Sequence, residues 1–201
     1  MATSLLVSVN SMESESREIA RGLRRRDPDL LDELISRYQH RLPRYLWSLT
    51  GNGQWAEELF QETWIRVLEK GQQYNPKWRF ETWLFSIARN LAIDLLRRRQ
   101  REPESVDGFS EPDDDLMPKE WPDRESPTPF EAAVTGEQAQ QVRTALRRLP
   151  PDTREVLVLR FQEDLDLNEI ADVTAAPLST VKSRLYRGLE AFRRVWEEQS
   201  A

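Results

Sequence analysis

Apolar side chains recur every three or four positions along both ends of the chain, and no stretch alternates between apolar and polar residues as a strand would. The clearest run begins at Leu31 and continues at helical spacing as far as Leu49. The whole pattern predicts helices over about residues 13–26, 29–49, 55–70, 81–101, a segment ending near 149, and then 152–161, 166–174 and 179–196. The sequence therefore predicts an all-α fold.

Helix-breaking residues separate these segments. Pro28 begins a new helix, and Pro43 predicts a kink or a break within 29–49, because proline lacks an N–H and clashes with the preceding turn. The segment Gly51-Asn-Gly53 ends that helix. The pair Pro150-Pro151 precedes a helix that Asp152 is expected to cap, since an acid follows three residues later.

Near its end the chain has two short helical segments with a tight break between them. Asp166 and Glu169 have the capping-box spacing at the start of the first. Pro177 cannot continue that helix, and Ser179 is expected to cap the next one. This order predicts a helix-turn-helix, whose second helix enters the major groove of DNA.

The second helix of this motif has two contrasting faces on a helical wheel. Its expected core stripe consists of Val181, Leu185, Leu189, Phe192 and Trp196. Hydroxyls and cations occupy the other side: Ser179, Thr180, Lys182, Ser183, Arg184 and Arg187. Such groups suit base edges and phosphates. A solvated basic face on an ordinary amphipathic helix is the alternative, but the capped helix and the turn before it favour DNA binding.

The helix predicted over 55–70 also has two faces. Its inner stripe is Leu59, Thr63 and Val67. A second face carries acids, an amide and an apolar side chain: Glu58, Gln61, Glu62 and Ile65. This second face is either a solvated surface or a docking surface, and docking is favoured because folding does not require an isoleucine there.

The loop 71–80 and the helix after it predict a contact with unpaired nucleic acid. The loop interleaves Tyr74, Trp78 and Phe80 with basic residues, which suits stacking on single-stranded bases, although Phe80 is the strongest candidate for the core. The following helix has an expected buried stripe of Leu84, Ile87, Ala88, Leu91 and Leu95. A second stripe lies beside the buried one and consists of Trp83, Ser86, Asn90 and a basic end that includes Arg97 and Arg98. Part of the Trp83 ring is expected to pack inward.

Charge is distributed unevenly. The net charge is −6, but residues 102–141 alone have a net charge of −10, so the rest of the chain is basic. Six of the twelve prolines lie within 102–129. This composition predicts an extended acidic linker over 102–136, and the acids at 113–115 are better explained as a solvated charge run than as metal ligands.

The composition argues against an enzyme, a metal site or a cofactor. The chain has no cysteine and a single histidine, His40, to which we assign no role. It also lacks a glycine-rich phosphate loop. No run approaches the roughly 20 apolar residues of a membrane span, and residues 1–10 make a poor signal peptide, so a cytoplasmic protein without membrane insertion is expected.

Together these pieces resemble the extracytoplasmic-function (ECF) sigma factors of bacterial RNA polymerase. The similar stretches are AEELFQETWIRV at 56–67, FETWLFSIARNLAID at 80–94, LPP at 149–151 with REV at 154–156, and LSTVKSRL at 178–185. Two departures stand out: the loop lacks the usual Arg-Gly-Asp type of stretch, and the turn 174–177 lacks the glycine often found there.

The resemblance implies an alternative sigma factor that binds core RNA polymerase and directs promoter-specific initiation. Its partners would be the clamp helices of the largest polymerase subunit, the flap region, promoter DNA and an anti-sigma factor. Polymerase docking would involve Glu58, Gln61, Glu62 and Ile65. The −10 element would be bound by Asn75, Lys77, Trp78, Arg79, Trp83, Ser86, Asn90, Arg97 and Arg98. The −35 element would be bound by Ser179, Thr180, Lys182, Ser183, Arg184 and Arg187.

The same resemblance divides the chain into a flexible tail (1–12), a domain for the −10 element and polymerase docking (13–101), the acidic linker (102–136) and a helix-turn-helix domain for the −35 element (137–201). The alternative is a conventional helix-turn-helix regulator that uses only the second domain. The loop with interleaved aromatic and basic residues favours the sigma factor, because a dimerisation or sensing module would not need it.

Overall fold

The computed structural model describes residues 2–101, 142 and 144–199, and these residues contain helices and no strand. The all-α prediction is confirmed. The chain divides into two compact units, which we describe separately as the first unit, up to residue 101, and the second unit, from residue 142. The predicted linker 102–136, with its acids at 113–115, lies outside the described residues. In the described part, no helix is long and apolar enough to cross a bilayer.

The first unit contains five α-helices and one 3₁₀ turn among its described residues. They are α1 (Ala2–Arg25), α2 (Pro28–Tyr38), α3 (Arg41–Thr50), α4 (Gly53–Lys70), the 3₁₀ turn (Gly71–Gln73) and α5 (Phe80–Arg101). Helices α3, α4 and α5 pack against one another, and α1 contacts α2 and the 3₁₀ turn.

Helix starts in the first unit follow local capping chemistry. The Asp27 side chain accepts hydrogen bonds from the backbone N–H groups of Asp29 and Leu30, and the Asn52 side chain accepts one from Trp55 at 3.0 Å. Gly51 ends α3 at φ 67°, a left-handed conformation that glycine adopts without strain. These caps explain why the breaks lie where the sequence predicted them.

Two details of the first unit differ from expectation. Helical backbone begins at Ala2 and not near residue 13, because the segment 2–12 contains neither proline nor glycine to stop a helix. Pro43 does not kink a long helix. The break lies just before it, between Tyr38 and Arg41, so that Pro43 falls in the first turn of α3, where its missing N–H leaves no intrahelical bond unmade.

Aromatic side chains form the centre of the first unit. Tyr38, Tyr45, Tyr74, Phe80 and Phe85 are all buried, and their rings meet edge to face or tilted at centroid distances of 5.0–6.5 Å. On α5 the buried face therefore includes Phe85 and Ala92 with Leu84 and Ala88, whereas the expected core residues Ile87, Leu91 and Leu95 are only half-buried.

The second unit contains α6 (Pro151–Phe161), α7 (Leu167–Thr174) and α8 (Leu178–Gln199), preceded by helical backbone at 142 and 144–147. Pro150 is the N-cap residue of α6 and Pro151 is the first residue of the helix. Proline suits that first position because its ring fixes φ near the helical value. Asp152 therefore lies inside the first turn, and its predicted role as the cap is wrong. The small core is built from aliphatic side chains, which include Val156, Leu159, Leu165, Ile170 and Val181.

A glycine sets the contact between α6 and α8. A Cβ placed on Gly188 would lie 2.8 Å from Cγ2 of Thr153 and 3.2 Å from Cδ1 of Leu157, so the two helices approach too closely there for any side chain. The buried stripe of α8 runs through Val181 and Gly188, and Leu189 is exposed. The predicted core position of Leu189 is wrong, because the close approach at Gly188 turns the neighbouring position outward.

Candidate nucleic-acid interface

Hydrogen bonds close the loop 74–79, and a buried tyrosine donates one of them. The Tyr74 hydroxyl donates to the backbone carbonyl of Trp78 at 2.7 Å. The Trp78 N–H donates to the carbonyl of Asn75 at 3.1 Å, and the Lys77 N–H donates to the Asn75 side-chain Oδ1, also at 3.1 Å. Burial raises the pKa of the Tyr74 hydroxyl. The loop is thus a preformed turn.

The three aromatic residues of this loop separate into core and surface. Tyr74 and Phe80 are buried, whereas Trp78 is 50 % exposed. Trp83 is half-buried, with its ring 5.1 Å from that of Tyr74 and 5.9 Å from that of Phe80. Trp78 is therefore the side chain of the loop that can offer a stacking face to a base, and Trp83 can offer only part of its ring.

Beyond the loop, polar groups continue along α5. The Ser86 hydroxyl donates to the carbonyl of Trp83 at 2.8 Å, so this hydroxyl is engaged within the helix. Asn90, Arg97 and Arg98 are exposed. With a rise of 1.5 Å per residue, the stretch from Ser86 to Arg98 covers roughly 18 Å, which is long enough to follow several nucleotides.

Two arginines near this surface are partly committed to other groups. Arg79, a candidate −10 residue, lies with Nε 3.6 Å from a carboxylate oxygen of Glu81. Arg99 turns its guanidinium over the ring of Trp55, 5.3 Å from the centroid. The cations left pointing to solvent at the end of α5 include Arg97 and Arg98.

A different surface lies on α4. Its inner stripe is buried as predicted, and Glu58 and Gln61 are exposed on the other side. Glu62 forms an ion pair with Arg66, its Oε1 2.9 Å from Nε. Ile65 is 48 % exposed and Leu68 is 44 % exposed. The sequence interpretation missed Leu68, although its spacing of three residues from Ile65 places both on one face.

In the second unit, α7 begins with a complete capping box. Asp166 Oδ1 accepts hydrogen bonds from the N–H groups of Asn168 and Glu169 at 2.7 and 2.9 Å, and Glu169 Oε2 accepts one from the Asp166 N–H at 2.8 Å. The helix ends at Ala175, which has φ 50° and ψ 38°. This left-handed residue makes the turn that separates α7 from α8.

Helix α8 begins one residue earlier than predicted. The Pro177 carbonyl accepts hydrogen bonds from the N–H groups of Thr180 and Val181 at 2.8 and 3.1 Å, so the helix starts at Leu178. Ser179 lies within the first turn and does not cap the helix, which corrects that prediction. Its side chain is exposed and stays available on the outer surface.

The outer face of α8 carries the expected hydroxyls and cations. Lys182, Ser183 and Arg187 are exposed and Thr180 is half-buried. Arg184 behaves differently, since its Nη2 lies 2.5 Å from Oδ2 of Asp152 on α6. The sequence interpretation missed one further side chain of this surface, Tyr186, which is 70 % exposed. Only the hydroxyls and cations of this face were considered, and the aromatic residue among them was not.

Two family models match the chain. Residues 34–102 match Sigma-70 region 2, and residues 139–192 match Sigma-70, region 4. RpoE of Cereibacter sphaeroides, an ECF RNA polymerase sigma factor, is 32 % identical over 171 residues, which cover 84 % of this chain and 87 % of that protein. The chain belongs to the ECF family of RNA polymerase sigma factors. The resemblance identified from the sequence motifs is confirmed.

Further comparisons agree with this family. The ECF sigma factor SigE of Mycolicibacterium smegmatis is 36 % identical over 162 residues, and the match covers 81 % of this chain but only 60 % of that longer protein. The fold is similar to that of the sigma factor RpoE of Bartonella quintana, solved with the anti-sigma factor NepR. The TM-score is 0.65 at 22 % identity, and the match covers 83 % of this chain and 96 % of that one.

In this ECF sigma factor the two matched regions contain both candidate DNA surfaces. Region 2 includes α3, α4, the closed loop and α5, and region 4 includes α6, α7 and most of α8. Helix α1 lies outside the region 2 match, yet a Cβ on Gly71 would lie 3.1 Å from Cβ of Leu23, so α1 packs directly on the turn that leads into the loop.

Proposed function

We propose that this ECF sigma factor binds core RNA polymerase, reads the −10 element with the first unit and reads the −35 element with the second, and performs no catalysis of its own. The observation that carries the proposal is the presence, in one chain, of a preformed loop with an exposed tryptophan and a capped helix-turn-helix. A sigma factor needs both, because it must hold unpaired bases and recognise duplex DNA.

In the proposed −10 surface, Trp78 stacks on an unpaired base while exposed polar groups around it hold the strand. Asn75 contributes through its side-chain amide N–H₂, because its Oδ1 already accepts the Lys77 N–H. Lys77 and Arg79 lie in the same loop, Trp83 and Ser86 flank it on α5, and Asn90, Arg97 and Arg98 extend the surface toward further phosphates. Aromatic stacking supplies affinity with little sequence preference, and the polar groups add selectivity.

In the proposed −35 surface, the first turns of α8 face the major groove. Ser179, Thr180, Lys182 and Ser183 lie nearest its N-terminus, and Arg184 and Arg187 follow one turn later. A recognition helix meets base edges with its N-terminal residues, and arginines on its flanks meet phosphates. Tyr186 joins this surface because its exposed ring lies on the same side of the helix as Lys182, one turn further along.

Polymerase docking is assigned to the outer face of α4. Glu58, Gln61 and Glu62 supply charge and hydrogen bonds, and Ile65 with Leu68 supplies exposed apolar area, a combination typical of protein interfaces. The proposed partner surface is the clamp helices of the largest polymerase subunit, and the second unit would meet the flap region. With these partners the protein would act in the cytoplasm, beside the polymerase.

An anti-sigma factor is the proposed regulatory partner. The support is that RpoE of Bartonella quintana, which has the same fold, was solved with the anti-sigma factor NepR. Such a partner would block transcription by covering the docking face or a DNA surface.

The decisive experiment is in-vitro transcription with purified core polymerase and a pool of promoter fragments, with and without this chain. We expect start sites that appear only when the chain is present, and their alignment gives the −10 and −35 sequences. Duplex binding without any new start site would contradict the proposal and would identify a conventional helix-turn-helix regulator.

The docking face is tested separately by binding of core polymerase. The double variant Gln61→Ala with Glu62→Ala should lower affinity by about tenfold without changing the helical content. An exposed acid on α2 and the exposed amide directly after that helix provide a control that also removes one negative charge, Glu33→Ala with Gln39→Ala. Equal losses in both double variants would remove α4 from the interface.

A further inference from the structure

Arg184 is held in a different way from the other arginines of α8. Its side chain is only 21 % exposed, and its guanidinium leaves the helix to meet Asp152 on α6, with Nη2 2.5 Å from Oδ2. Arg193 and Arg194 instead pair with acids on α8 itself, Glu197 and Glu190, and remain exposed. Arg184 is thus tied to a second helix, and its direction is fixed by the packing of the unit.

Asp152 is itself held in place. Pro150 and Pro151 restrict the backbone before it, and the Pro150 carbonyl accepts hydrogen bonds from the N–H groups of Thr153 and Arg154 at 3.0 and 2.9 Å. The carboxylate lies in the first turn of α6, where the helix dipole stabilises a negative charge. Its position therefore depends on the start of α6, which has little freedom to move.

The ion pair lies beside the tightest contact between the two helices. Gly188 is one turn beyond Arg184, and it approaches Thr153 and Leu157 so closely that a Cβ would collide with Thr153. The backbones that carry Arg184 and Asp152 are consequently fixed relative to each other. The long arginine side chain, which would otherwise sample many rotamers, is restricted by the carboxylate.

We propose that Asp152 is a positioning residue for −35 recognition, which holds the guanidinium of Arg184 in the orientation that meets the DNA. This inference rests on the proposed function and deepens it. A guanidinium has five N–H donors in a planar fork, so the bond to Asp152 leaves donors for a phosphate or a base edge. Fixing the fork before binding removes part of the ordering cost.

A purely electrostatic role for Asp152 would have the opposite effect on binding. A carboxylate near the DNA surface reduces attraction for phosphates of any sequence, so its removal should strengthen all DNA binding alike. A positioning role means that its removal weakens binding to the correct −35 element relative to a scrambled one. The ratio of these two affinities separates the alternatives.

The experiment uses the full chain with core polymerase and two promoter duplexes that share one −10 element, one with the −35 element found by transcription mapping and one with that element scrambled. Asp152→Asn should reduce the preference for the correct duplex by about fivefold. Asp172→Asn, an exposed acid on α7, is the control for the loss of one negative charge and should leave the preference unchanged.

A cycle with Arg184 completes the test. Arg184→Ala should lose the preference as well, and adding Asp152→Asn to it should cause no further loss, because the carboxylate acts through the guanidinium. Arg184→Lys keeps the positive charge but lacks the planar fork of donors, so it should lower the preference as Asp152→Asn does. Agreement between these two variants would show that the loss is not a folding defect of one of them. The thermal unfolding of each variant is measured as a further control.

Two outcomes would overturn the inference. Asp152→Asn that strengthens binding to both duplexes equally would show a charge effect alone, and an effect that persists in the Arg184→Ala background would show that Asp152 does not act through Arg184. A wild-type holoenzyme that fails to distinguish the duplexes would instead refute the −35 assignment of the proposed function, and the positioning role with it.

Discussion

The loop 74–79 and helix α8 carry their candidate DNA contacts on different kinds of support. The loop stands on an aromatic core, and its conformation depends on a hydrogen bond that the Tyr74 hydroxyl donates and one that the Asn75 side chain accepts. Helix α8 stands on a small aliphatic core, and its orientation depends on close packing at Gly188 and an ion pair at Arg184. A surface for unpaired bases needs an exposed aromatic ring, whereas a surface for duplex DNA needs hydrogen-bond donors held on a rigid helix.

The largest effect should come from removing the exposed ring. Trp78→Ala should slow promoter opening by roughly 5- to 150-fold, because stacking of a base on an aromatic side chain contributes about 1–3 kcal/mol. Open-complex formation on duplex and on pre-melted promoters measures this. Trp78→Phe keeps a stacking face and should retain most activity; if it fails as badly as alanine, stacking is not the role of Trp78.

The second unit should be most sensitive at its helix contact. Gly188→Ala should destabilise it by about 1–3 kcal/mol, since the new Cβ would collide with Cγ2 of Thr153. Urea unfolding measures the loss. Thr153→Ala removes the colliding methyl group, so the double variant should recover part of the stability, and the lack of any recovery would contradict the packing explanation.

A phosphate contact in the second unit should have an intermediate effect. Arg187→Ala should weaken binding to duplexes of all sequences and reduce the slope of log affinity against log salt by roughly 0.9 for one phosphate. A titration of holoenzyme with promoter DNA at several salt concentrations tests this. A loss confined to one base pair of the −35 element, with the slope unchanged, would instead indicate that Arg187 reads a base.

The smallest effect should come from loosening the loop while leaving its surface intact. Tyr74→Phe removes the hydroxyl that donates to the Trp78 carbonyl, a bond worth about 1 kcal/mol. Promoter opening should slow several-fold, with −35 binding unaffected. Equal opening rates for the variant and the wild type would mean that the loop reaches its shape without this bond.

Local chemistry made much of this fold predictable. Capping residues such as Asp166 and breakers such as Pro28 act on their immediate neighbours, and they mark helix ends in both the sequence and the structure. The placement of Phe80 in the core was also correct. The assignment of individual residues to DNA or polymerase remains a prediction that the experiments above address.

Contacts between distant elements could not be read from the sequence in the same way. The helical wheel placed Leu189 inside, because it carries no information about the close approach of α6 at Gly188. The pairing of Arg184 with Asp152 joins residues that are 32 positions apart. The division of the loop aromatics into buried Tyr74 and exposed Trp78 likewise depends on which rings the other helices bring together.

The turn between α7 and α8 affects how the stability of this protein can evolve. Ala175 occupies a left-handed conformation that costs an L-amino acid with a Cβ roughly 1–2 kcal/mol and costs glycine much less. Alanine and glycine codons differ by a single nucleotide, so a more stable helix-turn-helix is one point mutation away. Ala175 is exposed, and replacing it alters none of the groups assigned to the promoter. Selection for transcription at high temperature should therefore reach Ala175→Gly early, with promoter choice unchanged.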